Sequence, residues 1–341
     1  MRGHDPRILP RHGGRRHDGR MGGSRDLVVR CGASTAEVLA ARSCAVLDAA
    51  LAGDAELWIT TPADEAIVLG AFQRTSSLGL GAASARPVVR RASGGAAVAI
   101  GPGTLHVVLA LARPGALVPC DPARLVNRYV RPLLRALAKS GASASYFGRD
   151  WVSVAHRPVA AVGFAHDATT DRAAIEAFVA VTTPFAVEPR ASFLGREPTT
   201  LATAADRAFE LEPLARAIGA AYAAAYDREV AAMPFDETPA RGREDADPPW
   251  EAVQMEAIGP VAAGVDRGGV LRVGGDFMAS RDAVRGLEQV LADLPEAADE
   301  ARIGAAVDAA FTAPGVALEG VRSLASLRDV VVAARARHRA R

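Results

Sequence analysis

The chain has 341 residues, of which 50% are hydrophobic and 23% are charged, and its formal net charge is +1. This length favours two domains with a sizeable core, and the balanced charge excludes an intrinsically disordered chain and a basic field for nucleic acid. The apolar runs fall short of the roughly 20 residues that a membrane-spanning helix requires. We therefore expect a cytoplasmic protein that binds neither nucleic acid nor a membrane.

The N-terminal segment and the cysteines point to no targeting signal and no metal site. Residues 1–26 are rich in Gly, Arg and His without apolar periodicity, which predicts a disordered leader, and Met21 is an alternative start. The cysteines form no CxxC pair, and the histidines have no metal-ligand spacing, so we expect free thiols, no disulfide and no metal ligand set. The residues concerned are Cys31, Cys44, Cys120, His106, His156 and His166.

The elements of the first two thirds of the chain mix strands with helices. Periodicity and turn residues predict, in chain order, a helix over 34–51, strands over 56–60, 66–69, 88–91 and 105–111, a helix over 124–140, strands over 151–155 and 159–164, a short helix over 171–177, a strand over 178–182 and a helix over 213–233. Since helices and strands do not alternate strictly, the pattern predicts an α+β fold with a mixed sheet and not a doubly wound parallel sheet.

A polar, proline-rich stretch divides the chain. Residues 234–249 contain four prolines and a mixed run of arginines and acids, which is typical of a linker. The segments after it predict strands over 252–258 and 269–273, followed by helices over 280–292, 299–311 and 323–334. We therefore predict a leader over 1–26, a large domain over 27–233, a linker over 234–249 and a small α+β domain over 250–335.

Three segments together resemble the lipoate-protein ligase family, within the biotin/lipoate protein ligase superfamily. Residues 90–98 read RRASGGAAV, similar to the family's arginine- and glycine-rich loop, and residues 67–73 upstream resemble its strand and glycine-x-x-glutamine turn. Gly148-Arg149-Asp150 precedes a predicted hairpin, and Gly275-Asp276-Phe277 opens a region similar to the family's accessory domain. The resemblance, over about residues 27–334, implies a mixed-sheet catalytic domain and a small accessory domain.

The resemblance implies a reaction and a set of site residues. A family member uses ATP and Mg²⁺ to activate lipoate as lipoyl-AMP, and it transfers the lipoyl group to a lysine of a lipoyl carrier domain. Small residues let backbone amides approach an anion, and arginines supply fixed positive charge. Carried onto this chain, the substrate- and adenylate-binding positions are Gln73, Arg90, Arg91, Ser93, Gly94, Gly95, Ala96, Arg149 and Asp150.

The sequence departs from the family where the family places charge. The third loop glycine is Ala96, and a histidine four residues later is Ile100. The family's arginine-lysine pair in the hairpin reads Arg157-Pro158, so the lysine that contacts the acyl carboxylate and the phosphate is missing. Lys139 is the only lysine of the chain and precedes the hairpin, so Arg157 is our candidate for the catalytic charge. A planar guanidinium replaces a compact ammonium only with altered geometry.

These departures leave alternatives to a working ligase. A catalytically inactive homologue would keep the fold and bind a lipoyl-type ligand or a carrier domain. A ligase for another carboxylic acid would fit the altered positions Ala96 and Ile100. Octanoyl transfer, the sister chemistry, requires a cysteine nucleophile after the hairpin, and the sequence has none beyond Cys120.

Overall fold

The computed structural model describes residues 26–78, 86–187, 196–235, 244, 247–256, 258–295 and 298–340. The predicted leader therefore lies outside the described residues, except for Asp26, where the first strand begins. Much of the predicted linker, residues 236–243 together with 245 and 246, also lies outside them.

A large mixed sheet organises the first part of the described chain. It has eight strands, in the order β11 (Glu229–Pro234), β1 (Asp26–Ser34), β2 (Ala55–Pro62), β6 (Thr104–Leu111), β10 (Arg172–Ala180), β9 (Arg157–Asp167), β8 (Trp151–Val154) and β7 (Ala144–Tyr146). Strand β1 pairs in parallel with β2 and β11, and the other neighbours are antiparallel. Side chains alternate between two buried faces, which explains why the central strands are almost entirely apolar.

Helices cover one face of this sheet. They are α2 (Leu125–Tyr129), α3 (Arg131–Lys139), α4 (Leu201–Ala205) and α5 (Leu211–Ala225). Leu57 and Leu109 of the sheet share a core with Leu133 of α3 and Ile218 of α5. The predicted helix over 124–140 is divided, because Pro132 is accommodated only at the start of a new helix, which begins at Arg131.

A smaller sheet and one helix cover the opposite face. Strands β4 (Val88–Arg90), β3 (Ala66–Leu69) and β5 (Val98–Ile100) form the small sheet, and α1 (Ala36–Ala45) lies beside it. The layer between the two sheets contains Trp151, Ala161, Phe178 and Phe185. The loop over 91–97, which connects β4 to β5, therefore faces the large sheet.

The C-terminal elements build a second core. They are strands β12 (Ala252–Met255), β13 (Pro260–Val265) and β14 (Leu271–Gly275), the pair β15 (Met278–Ala279) and β16 (Leu318–Glu319), and helices α6 (Arg281–Asp293), α7 (Glu300–Phe311) and α8 (Leu324–Arg339). Val273, Leu287, Val307 and Leu327 lie in this core. We call these elements, from β12 to α8, the C-terminal unit; the domain boundaries given above stay a prediction.

One predicted helix is wrong, and two others end earlier than predicted. Residues 172–177 belong to strand β10, because its two neighbouring strands provide hydrogen-bond partners along its length. The predicted helix over 213–233 ends at Ala225, since the chain turns through Asp227 in a left-handed conformation and continues as edge strand β11. The predicted helix over 34–51 is shorter in the structure, where α1 ends at Ala45.

Candidate functional site

Arg91 holds the loop over 91–97 together from the inside. Its side chain is buried and lies over the ring of Phe178, with 5.3 Å from the guanidinium carbon to the ring centre. The guanidinium donates to Ser93 Oγ and to the backbone carbonyls of Gly94 and Ala96, each at 2.9 Å. A guanidinium group has five N–H donors in one plane, so it can bond several acceptors of the same loop at once. Arg91 therefore fixes the loop's shape and points into the protein.

A buried carboxylate fixes the start of the same loop. Glu176 of β10 accepts the Ser93 amide at 3.0 Å and His106 Nε2 at 3.1 Å. Burial alone would raise the pKa of Glu176, but the hydrogen bond and charge of His106, the charge of Arg91 and a hydrogen bond from Ser43 lower it to about 2. The Glu176 carboxylate is thus ionised and bound on several sides.

The C-terminal unit contacts the loop at its two glycines. The Gly94 amide donates to the carbonyl of Phe164 and the Gly95 amide to the carbonyl of Phe277, both at 3.1 Å. A Cβ atom on Gly94 would lie 2.5 Å from the Phe277 oxygen, and Gly95 has a φ of 92°. Glycine is therefore required here by the close approach of the chain at Phe277 and by backbone conformation.

The turn before the loop also joins the two units. Gln73 donates from Nε2 to Asp276 Oδ1 at 2.6 Å and accepts the Gly70 amide at 2.9 Å. Arg90 donates to the carbonyl of Gln73 at 2.5 Å and to Glu244 at 3.0 Å. The structure thus brings together the predicted positions from Gln73 to Ala96, but the amides of the loop glycines and the side chains of this turn already bind protein atoms.

The other predicted site residues precede or begin two strands of the large sheet: Arg149 and Asp150 precede β8, and Arg157 begins β9. Arg157 begins β9, six residues before Gly163, which contacts the loop, so the two positions are roughly 20 Å apart at the rise of a strand. Arg149 lines a separate pocket, described below. Asp150 is buried, and its carbonyl accepts the Val162 amide at 2.8 Å. The structure thus places Arg157 away from the loop, whereas the Asp150 backbone is hydrogen-bonded to Val162, the residue before the loop-contacting Gly163.

A cleft of about 420 Å³ lies between the loop and the C-terminal unit. We call it the arginine cleft, because six arginines and three carboxylates line it: Arg74, Arg90, Arg91, Arg272, Arg281 and Arg285, with Asp247, Asp266 and Glu288. Most of these arginines have protein partners. Arg272 pairs with Asp266 and Glu288 at 2.8 Å, whereas Arg285 is exposed.

Comparison with known proteins identifies the large unit. Residues 37–184 match the model of the lipoyl protein ligase A/B catalytic domain. This region resembles the catalytic domain of the lipoate-protein ligases and diverges from it in sequence. A comparison with curated protein sequences gives no significant match.

Solved structures confirm the fold expected for the family. The crystal structure of P. falciparum LipL1 in complex with lipoate has a TM-score of 0.62 and 12% identity, and the match covers 89% of this chain and 98% of that one. Protein Ta0514 of T. acidophilum with bound lipoic acid has a TM-score of 0.51 and 13% identity, covering 62% and 90%. The mixed α+β fold of the lipoate and biotin ligases is therefore confirmed for this chain.

The family's lysine has no counterpart near the loop. Pro158 stands at that position; it is buried, and its carbonyl accepts the Thr199 amide at 2.8 Å. Lys139 ends α3, whose buried side chains pack on the face of the large sheet opposite the loop. Lys139 is thus separated from the loop by the sheet itself.

The residues expected to support Mg²⁺ do not form a metal site. Among the described residues, no group of three or more His, Cys, Asp or Glu side chains is arranged to hold a metal ion. Magnesium that accompanies a nucleotide takes most of its oxygen ligands from water and phosphate, so the buried Asp150 by itself identifies no Mg²⁺ site. We therefore derive no step through Mg²⁺.

In the part of the chain that the structure describes, no helix has the length and apolar character needed to cross a bilayer.

The functional candidates that the sequence did not indicate are Glu176 and Glu319. A lone acid in an otherwise apolar strand is the signal that would have found Glu176.

Proposed function

We propose that this family member binds a lipoyl carrier domain and does not form an adenylate by the family's lysine-dependent route. One observation carries the proposal: the position of the lysine is the buried Pro158, and Lys139 lies across the sheet. A missing preorganised charge of this kind costs about 3 kcal/mol or more of transition-state stabilisation.

The state of the loop supports the same proposal. The amides of Ser93, Gly94 and Gly95 donate to Glu176, Phe164 and Phe277, so an incoming phosphate would have to displace these acceptors. Exchange of a buried, hydrogen-bonded acceptor for a new one offers little net gain, since the displaced groups lose their own partners. The loop in this form is a structural contact and not an open anion site.

The space between the two sheets also supports binding without activation. Trp151, Phe178 and Phe185 fill that space together with small residues such as Ala161. An aliphatic acid lying along the large sheet would have to displace these aromatic rings. The carrier domain, which binds from outside, is therefore the preferred ligand over the free acid, while the lipoate in the P. falciparum structure makes lipoyl chemistry the first class to test.

The experiment combines binding with product detection. The full chain is titrated by calorimetry with a purified lipoyl carrier domain, unmodified and lipoylated, and then incubated with lipoate, ATP and Mg²⁺ for mass spectrometry. We expect carrier binding without lipoyl-AMP or newly modified carrier. Adenylate formation would overturn the proposal, and so would the lack of any carrier binding.

The second candidate is the full ligase reaction, in which ATP activates lipoate or another carboxylic acid and a carrier lysine receives the acyl group. The arginine cleft favours it, because its six arginines outnumber its three carboxylates beside Gln73, Arg90 and Arg91. If adenylate forms, Arg285→Ala should weaken ATP binding. Arg157→Ala tests the other candidate charge, with Arg216→Ala as an exposed control.

A further inference from the structure

A second pocket lies between the catalytic region and the C-terminal unit, away from the arginine cleft. Its volume is about 450 Å³. The catalytic region contributes Arg124, Asn127, Tyr146 and Arg149 to it, and the C-terminal unit contributes Ile258, Met278, Leu318, Glu319, Val321 and Arg322. We call it the Glu319 pocket. The proposed function assigns no role to Glu319, Tyr146 or the three arginines.

Glu319 is a half-buried carboxylate with apolar side chains beside it. It belongs to the short strand β16, beside Met278 of β15. Burial raises the pKa of Glu319 to about 7. Among the described residues, its carboxylate takes part in no hydrogen bond or ion pair. An ionised carboxylate in such a place is unfavourable, and a cation that reaches it removes the penalty.

Tyr146 of β7 lines the same pocket and is also shielded from water. Burial raises the pKa of the Tyr146 phenol, and the charges of Glu319 and Asp150 raise it further. The phenol is therefore neutral and polar beside the carboxylate. Ile258, Met278, Leu318 and Val321 supply apolar walls around them, so the interior suits a chain that is aliphatic along its length and cationic at its end.

Positive charge lies at the mouth of the pocket. Arg124 and Arg322 are exposed and Arg149 is half-buried. Burial is the cause of the raised pKa of Glu319, and none of these guanidinium groups forms an ion pair with its carboxylate among the described residues. The pocket thus combines a negative interior with a positive rim. The complementary ligand has a cation at its tip and anions around its base.

We propose that the Glu319 pocket binds a lysine side chain presented by an acidic segment of a partner protein. The ammonium meets the Glu319 carboxylate, the methylene stem lies along Met278 and Leu318, and the flanking acids meet the exposed Arg124 and Arg322. The inference rests on the proposed function for the partner, since a carrier domain offers a lysine. It adds the place and the chemistry of recognition.

Other ligand classes fit this arrangement less well. A free carboxylic acid or a nucleotide phosphate would meet the arginines at the rim but would place a second negative group against Glu319. A neutral aliphatic group would leave the carboxylate desolvated without a partner. An arginine side chain ends in a broad planar group, whereas the narrower ammonium is a compact charge with three donors.

The test uses the full chain and the peptide acetyl-Glu-Lys-Glu-amide as the probe, measured by calorimetry at pH 7.5. The matched control peptide carries Nε-acetyl-lysine, which has the same acids but no cation. We expect the acetylated peptide to bind at least about tenfold more weakly, and Glu319→Gln to weaken binding of the unmodified peptide by at least about tenfold. Glu300→Gln, an exposed acid on α7, should leave the affinity unchanged.

Two further measurements distinguish the interior from the rim. Arg322→Ala should weaken binding a few-fold and reduce its dependence on salt, because exposed charges are screened. Binding near pH 7 should release protons, which calorimetry in phosphate and in Tris buffer detects, because an ammonium partner favours the ionised carboxylate. Equal affinity of Glu319→Gln and wild type would overturn the inference.

The outcomes also separate this inference from the proposed function. If the carrier domain binds and Glu319→Gln does not weaken it, the pocket is not the site, and the proposed function stands. If the carrier domain does not bind but the lysine peptide binds through Glu319, the pocket inference stands for another acidic partner and the proposed function is wrong.

Discussion

Glu176 is a fully buried carboxylate and Glu319 a half-buried one, and the protein treats them in opposite ways. Glu176 is bound by Ser93 and His106, and its pKa falls to about 2. Burial raises the pKa of Glu319 to about 7, and no described residue pairs with it. The loop around Glu176 is complete within the protein, whereas the pocket around Glu319 lacks a cation. The presence or absence of hydrogen-bond partners within the protein therefore distinguishes a structural carboxylate from a candidate binding site better than burial does.

The largest effect is expected where the carboxylate has most partners. Glu176→Ala removes the acceptor of the Ser93 amide and of His106 in a buried site. Breaking such a buried network costs about 3–5 kcal/mol, so the free energy of unfolding in urea at pH 7 should fall by that amount. A loss below about 1 kcal/mol would show that the loop does not depend on this residue.

The Glu176 carboxylate also limits the stability of the fold at acid pH. Because its folded pKa is about 2 and its ordinary value is 4.5, Glu176 stabilises the fold above pH 4.5 and loses this contribution as the pH falls toward 2. The contribution amounts to about 3 kcal/mol. Glu176→Gln should remove this part of the acid dependence, and unchanged acid denaturation curves would contradict it.

Glu319 should show the opposite dependence on pH. Its folded pKa of about 7 lies above the ordinary 4.5, so the folded state holds the proton more tightly and stability falls as the pH rises from 4.5 through 7. Glu319→Gln should therefore gain stability over wild type at pH 8, by up to about 2 kcal/mol after allowance for partial exposure. The gain should be smaller at pH 5, and thermal unfolding at both values measures it.

A smaller loss is expected at the contact between the two units. Ser280 Oγ bonds His166 Nδ1 at 2.8 Å and accepts the Ala317 amide at 2.9 Å, all in buried surroundings. Ser280→Ala leaves both groups unsatisfied, at a cost of about 1–3 kcal/mol in unfolding free energy. The exposed Ser145→Ala is the control. A change no larger than that of the control would mean that water replaces the hydroxyl.

The smallest effect is expected for a paired charge on the surface. Arg216 bonds Glu212 one helical turn away, and their side chains are 64% and 83% exposed. Arg216→Ala should change the unfolding free energy by less than about 0.5 kcal/mol. A larger change in urea denaturation would contradict the expectation that an exposed ion pair adds little stability.

The sequence predicts the loop but not the groups that bind it. The residues from Arg90 to Ala96 have a recognisable order. The sequence places them after a strand that the structure has as β4, but it does not predict β5, the strand that follows the loop. Their partners Glu176 and Phe277 come from β10 and from the C-terminal unit, far along the chain. No local pattern reports such contacts, so the order of residues could not show whether the amides are available.

Strand β10 shows how tertiary contacts override local preference. Residues 171–177 contain three alanines, one arginine and one glutamate, which favours a helix when the segment is considered alone. In the structure Ile175 faces the core shared with the helices, and Phe178 faces the small sheet. Side chains alternate between the two faces with the two-residue period of a strand. Small residues on both faces make this period difficult to recognise in the sequence. Glu176 was hidden by the same error.

Strand β11 bears on how this protein can be divided. It follows α5, completes the edge of the large sheet beside β1, and ends at Pro234. A fragment cut after α5 would expose the backbone of β1 to unwanted strand pairing, which proteins commonly prevent at sheet edges. A chimaera that takes its C-terminal unit from a relative should therefore fold only when the junction lies beyond Pro234. Strand β11 then stays with the large sheet that it completes.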